Sequence, residues 1–274
     1  MVNYFKKSRW FYYGLSILWI LFLLLLAIKV SRSPLLSGPS VYVGFLLLAL
    51  IGIVIFAAFA NKIASGEMNQ LIGILYQDCD PVQFVQEFAP VAAGHSRLNR
   101  FLEVNIQSIY AVGLLMGGWF DKAAGIGVLL ETYIGKLKKP EQNAYLYLYL
   151  NWIFWEIGER DKALRYLNQA KEHLSRVNPS SRLYQGELQS IAMRECSVWV
   201  DQGEYNRALD FLAQHAGQNL RPAQLVYVMY RRAEIYHLTG NREKELECLH
   251  YIIDHGNRLY VVQVALRLLE QEQN

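Results

Sequence analysis

The stretch AYLYLYLNWIFWEI at 144–157 runs directly into GERDKA at 158–163. The first part is apolar on every face, the mark of a helix buried in a core. Gly158 then ends it, because glycine enters the left-handed conformation at a helix C-terminus at little steric cost. Polar residues follow, with Asp161 where the first turn of a new helix favours an acid. Ala163 is small enough to sit where two helices cross. The same form recurs as GWFDKA at 118–123, GEYNRA at 203–208 and GNREKE at 240–245, with the glycines 40, 45 and 37 residues apart. Only Glu245 breaks the small-residue rule.

The register extends to both sides. Seven residues before the glycines stand Ala111, Asn151, Cys196 and Ala233, all compact. Four residues before them stand Leu114, Phe154, Trp199 and Tyr236, all large. Nine residues after them come Gly127, Leu167, Leu212 and Leu249. Small and large positions in step predict antiparallel helix pairs that interlock by ridges and grooves. Gly125 and Gly127 are expected to loosen the second helix of the first pair.

These residues resemble tetratricopeptide repeats, in which a small residue and then an aromatic on one helix precede a Gly-x-Tyr-x-x-Ala junction. The resemblance covers about residues 100–254. It rests on Gly118, Ala123, Gly158, Ala163, Gly203, Ala208 and Gly240. It implies an all-α fold: a right-handed α-solenoid of about four helix pairs at 99–274, with work as a scaffold or adaptor. The units exceed the roughly 34-residue consensus, so the connectors are longer, and Pro140, Pro179 and Pro222 fall between units as a proline ending a repeat would. A final helix over 259–270, with Val262, Leu266 and Leu269 on one face, is expected to cover the last pair, as stacked arrays require.

The other end of the chain reads differently. Residues 10–28, WFYYGLSILWILFLLLLAI, and 41–60, VYVGFLLLALIGIVIFAAFA, carry no charge. At about 1.5 Å per residue each spans the ~30 Å hydrocarbon core. Between them lie Ser33, Pro34, Gly38 and Pro39, a turn-rich connector. Residues 1–60 are therefore read as a two-helix transmembrane hairpin. Trp10, Tyr12 and Tyr13 are placed at the interface. A cleaved signal peptide would have a shorter apolar core and a small-x-small site. Lys6, Lys7, Arg9 and Lys62 flank the pair against Lys29 and Arg32 in the connector, so the positive-inside rule puts both termini in the cytoplasm of a cell membrane. Gly44 and Gly52, or Ala49 with Gly52, would let the two helices approach closely.

Residues 61–98 read as adapter helices. The second span continues as a helix over 62–77, and Asp80 caps a new helix whose first residue is Pro81. Asp78-Cys79-Asp80-Pro81 before an aromatic-rich helix resembles the start of helical-repeat regions in membrane proteins of Gram-positive bacteria.

Composition narrows the function. The chain has 274 residues and a formal net charge of +3, but residues 1–60 hold five bases and no acid. The remainder has 22 bases against 24 acids, too few and too scattered for phosphate binding, so no nucleic-acid partner is expected. Cys79, Cys196 and Cys248 are too few and too far apart for a disulfide framework or a cysteine zinc site. No phosphate loop, dinucleotide fingerprint, nucleophile elbow or zinc-protease motif occurs. An enzyme, a cofactor, a metal and a small-molecule substrate are therefore not expected.

The expected activity is binding. The first helix of each pair in this repeat class lines a concave groove. The groove-facing set would be Tyr145, Leu148, Trp152 and Trp155, then Met193, Ser197 and Val200, then Tyr227, Tyr230, Glu234 and His237. Tyr, Trp and Met are the types favoured in binding hot spots. Burial between repeats is the competing role for the same side chains. The partner implied is a peptide or protein segment, with the lipid bilayer as the second contact. Two alternatives stand beside this scaffold: a subunit of a membrane transport, secretion or immunity complex whose hairpin makes the specific contact, and an extracytoplasmic assembly chaperone.

Overall fold

The computed structural model describes residues 6–31, 39–94 and 99–271; Pro34 and Gly38 of the connector and the end of the adapter at 95–98 lie outside these. The described residues are helical throughout, with no strand among them. The helices are α1 (Lys6–Ser31), α2 (Pro39–Tyr76), α3 (Pro81–Ala92), α4 (Arg100–Met116), α5 (Phe120–Glu131) and α6 (Pro140–Glu156). After these come α7 (Arg160–Leu174), α8 (Arg182–Asp201), α9 (Tyr205–Ala216), α10 (Pro222–Leu238), α11 (Arg242–His255) and α12 (Tyr260–Glu270). They form two compact units, Met1–Gln70 and Leu71–Asn274.

In the first unit, α1 and α2 are long and apolar enough to cross a membrane. Their large apolar side chains point outward: Leu25 is 68% exposed and Val54 67%. Exposed apolar surface on this scale is the kind that a bilayer or a partner covers. Among the described residues, Trp19 joins the two helices at mid-length. The Trp19 indole N–H donates to the Leu48 carbonyl at 3.2 Å, and its ring lies edge-on to Phe56. A Cβ at Gly52 would collide with that indole, whereas Gly44 faces open space. Of the two glycines expected to permit close approach, Gly52 is the one so used. The helix after the second apolar stretch is continuous, since α2 runs unbroken to Tyr76.

The second unit is built from consecutive helix pairs. α4 packs on α5, α6 on α7, α8 on α9 and α10 on α11, while α4 and α8 flank α6. Each pair turns in the same way. Gly118, Gly158, Gly203 and Gly240 have φ of +80°, +88°, +78° and +72°. Each glycine N–H donates to the carbonyl three residues back. The next N–H reaches five back: Trp119 to Leu114, Glu159 to Phe154, Glu204 to Trp199 and Asn241 to Tyr236, at 2.8–2.9 Å. That pair of bonds satisfies carbonyls left open at the helix end. The large residue of each pair is thus also the backbone acceptor that closes its turn.

The compact positions repeat as contacts. The Asn151 side-chain amide donates to the Ala163 carbonyl at 2.9 Å, and Cys196 Sγ lies 3.9 Å from the Ala208 carbonyl. Both bridge twelve residues across one junction. Gly127 does not loosen α5. A Cβ there would sit 3.0 Å from Ile153 Cγ2 and 3.3 Å from Phe154 Cζ, so the missing side chain lets α5 close on α6. Glu245, at the irregular position, is buried and held by Arg242 at 2.7 Å and His237 at 3.0 Å. Pro140 and Pro222 open helices as their first residues, where the missing N–H costs nothing.

Asp80 caps α3 by accepting from the Gln83 N–H at 2.9 Å, with Pro81 at the first position. α12 packs on α11 and also meets α5. The Tyr260 ring meets Phe120 edge-on at 5.2 Å. In the turn before α12, Arg258 N–H donates to the Cys79 carbonyl at 3.1 Å, and Asn257 Nδ2 to the Asp78 carbonyl at 2.8 Å. Arg258 Nη1 lies 3.3 Å from Asp80 Oδ2. The two ends of the second unit are tied together, and the space between its helices becomes a cavity.

Candidate binding cavity

Three helices supply most of the cavity wall, each by one stripe at helical spacing. α6 contributes Tyr145, Leu148, Tyr149, Trp152 and Glu156; α8 contributes Gly186, Glu187, Ser190, Met193, Arg194 and Ser197; α10 contributes Ala223, Gln224, Tyr227, Val228 and Arg231. Steps of three and four residues keep each set on one helix face. Tyr76, Met116 and His215 complete the enclosure, whose volume is about 440 Å³. That is within the range of roughly 300–1,000 Å³ usual for small-ligand pockets.

Of the side chains expected in the groove, Tyr145, Leu148, Trp152, Met193, Ser197 and Tyr227 line this cavity. Tyr230 lines a smaller adjoining pocket with Phe120 and Tyr260. Trp155 is in the core, 4% exposed, with the Arg160 guanidinium 4.1 Å over its ring. Val200 is also core, packed with Cys196 and Leu212. Glu234 pairs with Arg231, and His237 pairs with Glu245; neither is among the cavity-lining residues. Sequence reasoning missed Tyr76, Tyr149, Glu156, Glu187, Arg194 and Arg231. The same helical step, carried back from Met193 to Glu187 and forward from Trp152 to Glu156, reaches two of them.

The charges are unevenly satisfied. Arg231 bridges Glu156 at 3.0 Å and Glu234 at 2.9 Å. Burial by itself lowers the Arg231 guanidinium, but the two carboxylates outweigh it and hold the group above its ordinary value. Arg194 lies 4.4 Å over the Trp152 ring, and no hydrogen-bond acceptor meets its guanidinium among the described residues. Burial pushes it down to about 10, with Glu156 opposing, so it remains a cation at pH 7. Glu187 is 5% exposed, and neither carboxylate oxygen has a hydrogen-bond partner. Burial, with the Glu141 carboxylate second, pushes its carboxyl up to about 7. Burial also raises Tyr145, Tyr149 and Tyr227, keeping their hydroxyls protonated as donors.

No family model, curated protein or solved structure matches the chain. The cavity must therefore be read from its own chemistry. Among the described residues no group of three His, Cys, Asp or Glu is placed to hold a metal ion. The three cysteines are buried, and burial raises the Cys79 and Cys196 thiols to about 11, far from the thiolate a nucleophile needs. What the walls offer is aromatic area, phenol donors, one unpaired cation and one unpaired carboxyl. Such a set has the chemistry to recognise a ligand by shape and charge.

Proposed function

We infer that the chain is a membrane-anchored binding protein whose tetratricopeptide-like domain grips a polypeptide segment at the cytoplasmic face of a cell membrane. α1 and the first part of α2 serve as the two spans, and the second unit is a right-handed array of four helix pairs, closed by α12. The lysine and arginine asymmetry around the spans supports the orientation. The repeat reading is supported by the four identical glycine turns and the matched contacts of Asn151 and Cys196. The observation that carries the function is the convergence of α6, α8 and α10 on one aromatic cavity. The anchor keeps that cavity near membrane partners and raises their effective concentration. The domain acts by binding and leaves its partner chemically unchanged.

The test is site-specific photocrosslinking in the native membrane. A photoreactive phenylalanine analogue replaces Tyr227 in one strain and exposed Leu238 in another. A peptide or polypeptide adduct, identified by mass, is expected from position 227 and not from 238, and Trp152→Ala should reduce it severalfold. Identical adducts from both positions, or none from 227, would overturn the reading.

A further inference from the structure

Two groups in the cavity are held at a cost that their surroundings do not repay. A buried carboxyl without a hydrogen-bond partner forfeits its solvation. Glu187 is in that state at both oxygens. Arg194 is fixed by stacking on Trp152 but lacks the acceptors that a guanidinium fork would take. The other cavity cation, Arg231, is already held by two carboxylates, Glu156 and Glu234. The cavity therefore presents one cation and one carboxyl for a ligand to satisfy.

The helix sets the spacing of their backbones. Glu187 and Arg194 are seven residues apart on α8, two turns on one face, so their backbones are separated by about 10.5 Å along the axis. An extended peptide advances about 3.3–3.6 Å per residue, so about three residues cover that distance. A peptide with free ends carries an ammonium at one end and a carboxylate at the other. The carboxylate suits the planar, aromatic-backed guanidinium, which can bind it through two parallel N–H bonds. The ammonium suits a carboxyl walled from solvent. Between them, Leu148 and Met193 offer apolar contact and Tyr149 a hydroxyl donor.

We propose that the cavity is a short-peptide site that reads both ends of its ligand: Arg194 takes the free carboxylate and Glu187 the free ammonium of a peptide of about three residues. The proposal rests on the peptide-binding reading above and narrows it from a segment of a longer chain to an unblocked oligopeptide. The two charged ends give orientation as well as affinity. A chain running through the cavity would leave both groups unsatisfied.

The experiment uses the full chain in lipid nanodiscs and random-sequence tripeptide pools in four forms: both ends free, amino end acetylated, carboxyl end amidated, and both blocked. A doubly blocked twelve-residue pool is run beside them. Retained peptides are quantified by mass spectrometry. The free pool is expected to be retained at least tenfold over either singly blocked pool. Arg194→Gln should erase the preference for a free carboxyl end and keep that for a free amino end; Glu187→Gln should do the reverse. Arg194→Lys keeps the charge without the fork, and should retain a weaker carboxylate preference in a chain whose melting is unchanged. Equal retention of all four tripeptide forms, or retention of the twelve-residue pool alone, would overturn end recognition and leave the groove reading intact. Retention of none of the pools would overturn both.

Discussion

The pair α6–α7 and the pair α8–α9 share a turn, a register and a junction contact, yet they do different work. In α6, Leu146, Leu150, Ile153 and Phe154 are buried, and the α7 residues Ala163, Leu167 and Ala170 close over them. In α8, one face carries Glu187, Ser190, Arg194 and Ser197, and the core it makes with α9 is reduced to a small cluster around Cys196, Ala208 and Leu212. The repeated turn fixes where helices stand. Both helices line the cavity, and the residues between turns decide how much of each is also given to core.

The largest expected effect breaks the core member. Phe154 is 2% exposed, packs on Tyr166 and has the Lys162 ammonium 3.6 Å from its ring centroid. Phe154→Ala should cost about 3–5 kcal/mol, as a buried aromatic deletion does. Trp199 occupies the matching position of the next pair but is only partly buried, meeting Phe211 edge-on and Arg207 over its ring. Trp199→Ala should cost roughly 1–3 kcal/mol, the lower end of large-to-small substitution. Denaturant melts of the detergent-solubilised full chain measure both, and equal losses would mean that the two pairs are equally packed.

Glu187 sharpens the contrast from the other side. Its carboxyl holds a proton up to about pH 7 in the folded chain, against an ordinary value of 4.5. Glu141, Tyr145 and Tyr149 of α6 are the ionisable groups that face it. A raised acid disfavours folding as the pH climbs from about 4.5 to 7, and the penalty is fully present above that. Glu187→Gln should therefore stabilise the chain at pH 8, by on the order of 2 kcal/mol, and change little at pH 4. The same stabilisation at both pH values would show that the proton is not the cause.

The turns were legible from sequence because each depends on one residue. A glycine followed at fixed spacing by a polar pair and a small side chain is a local signal, and all four glycines adopt the left-handed conformation it implies. The apolar stretches at 10–28 and 41–60 were legible for the same reason, as was the Asp80 cap. Other features needed distant partners. Trp155 and His237 have the types and spacing of groove residues, but one is consumed by the core and the other by Glu245. Glu187 and Arg194 lie on the stripe that Met193 marks, yet their lack of partners is a property of the packed whole. The return of the 257–260 turn to residues 78–80 joins positions nearly 180 apart and leaves no periodic trace.

Because the turns are shared, they should respond alike. A Cβ at Gly158 or Gly203 would meet nothing within 4 Å, so the cost of alanine there is the left-handed backbone alone. Gly158→Ala and Gly203→Ala should each lose about 1–2 kcal/mol. A difference between them beyond about 0.5 kcal/mol, the usual limit of additivity, would mean that the surrounding pair contributes to the turn.

The smallest effect tests whether the junction contact is interchangeable. Asn151 donates to the Ala163 carbonyl, but its own side-chain oxygen is buried without a partner. Removing the amide loses a hydrogen bond worth about 0.5–1.5 kcal/mol and at the same time relieves an unsatisfied acceptor. Cysteine fills the equivalent place in the next pair, aimed at the Ala208 carbonyl. Asn151→Cys should therefore change stability by less than about 1 kcal/mol, because both sides of that exchange are small. Cys196→Asn is the unequal partner, since it brings a buried amide into the pair that already carries the unpaired Glu187. It should destabilise more than Asn151→Cys does. The opposite order would mean that α8–α9 tolerates polar groups generally, and that Glu187 marks a polar core instead of a site.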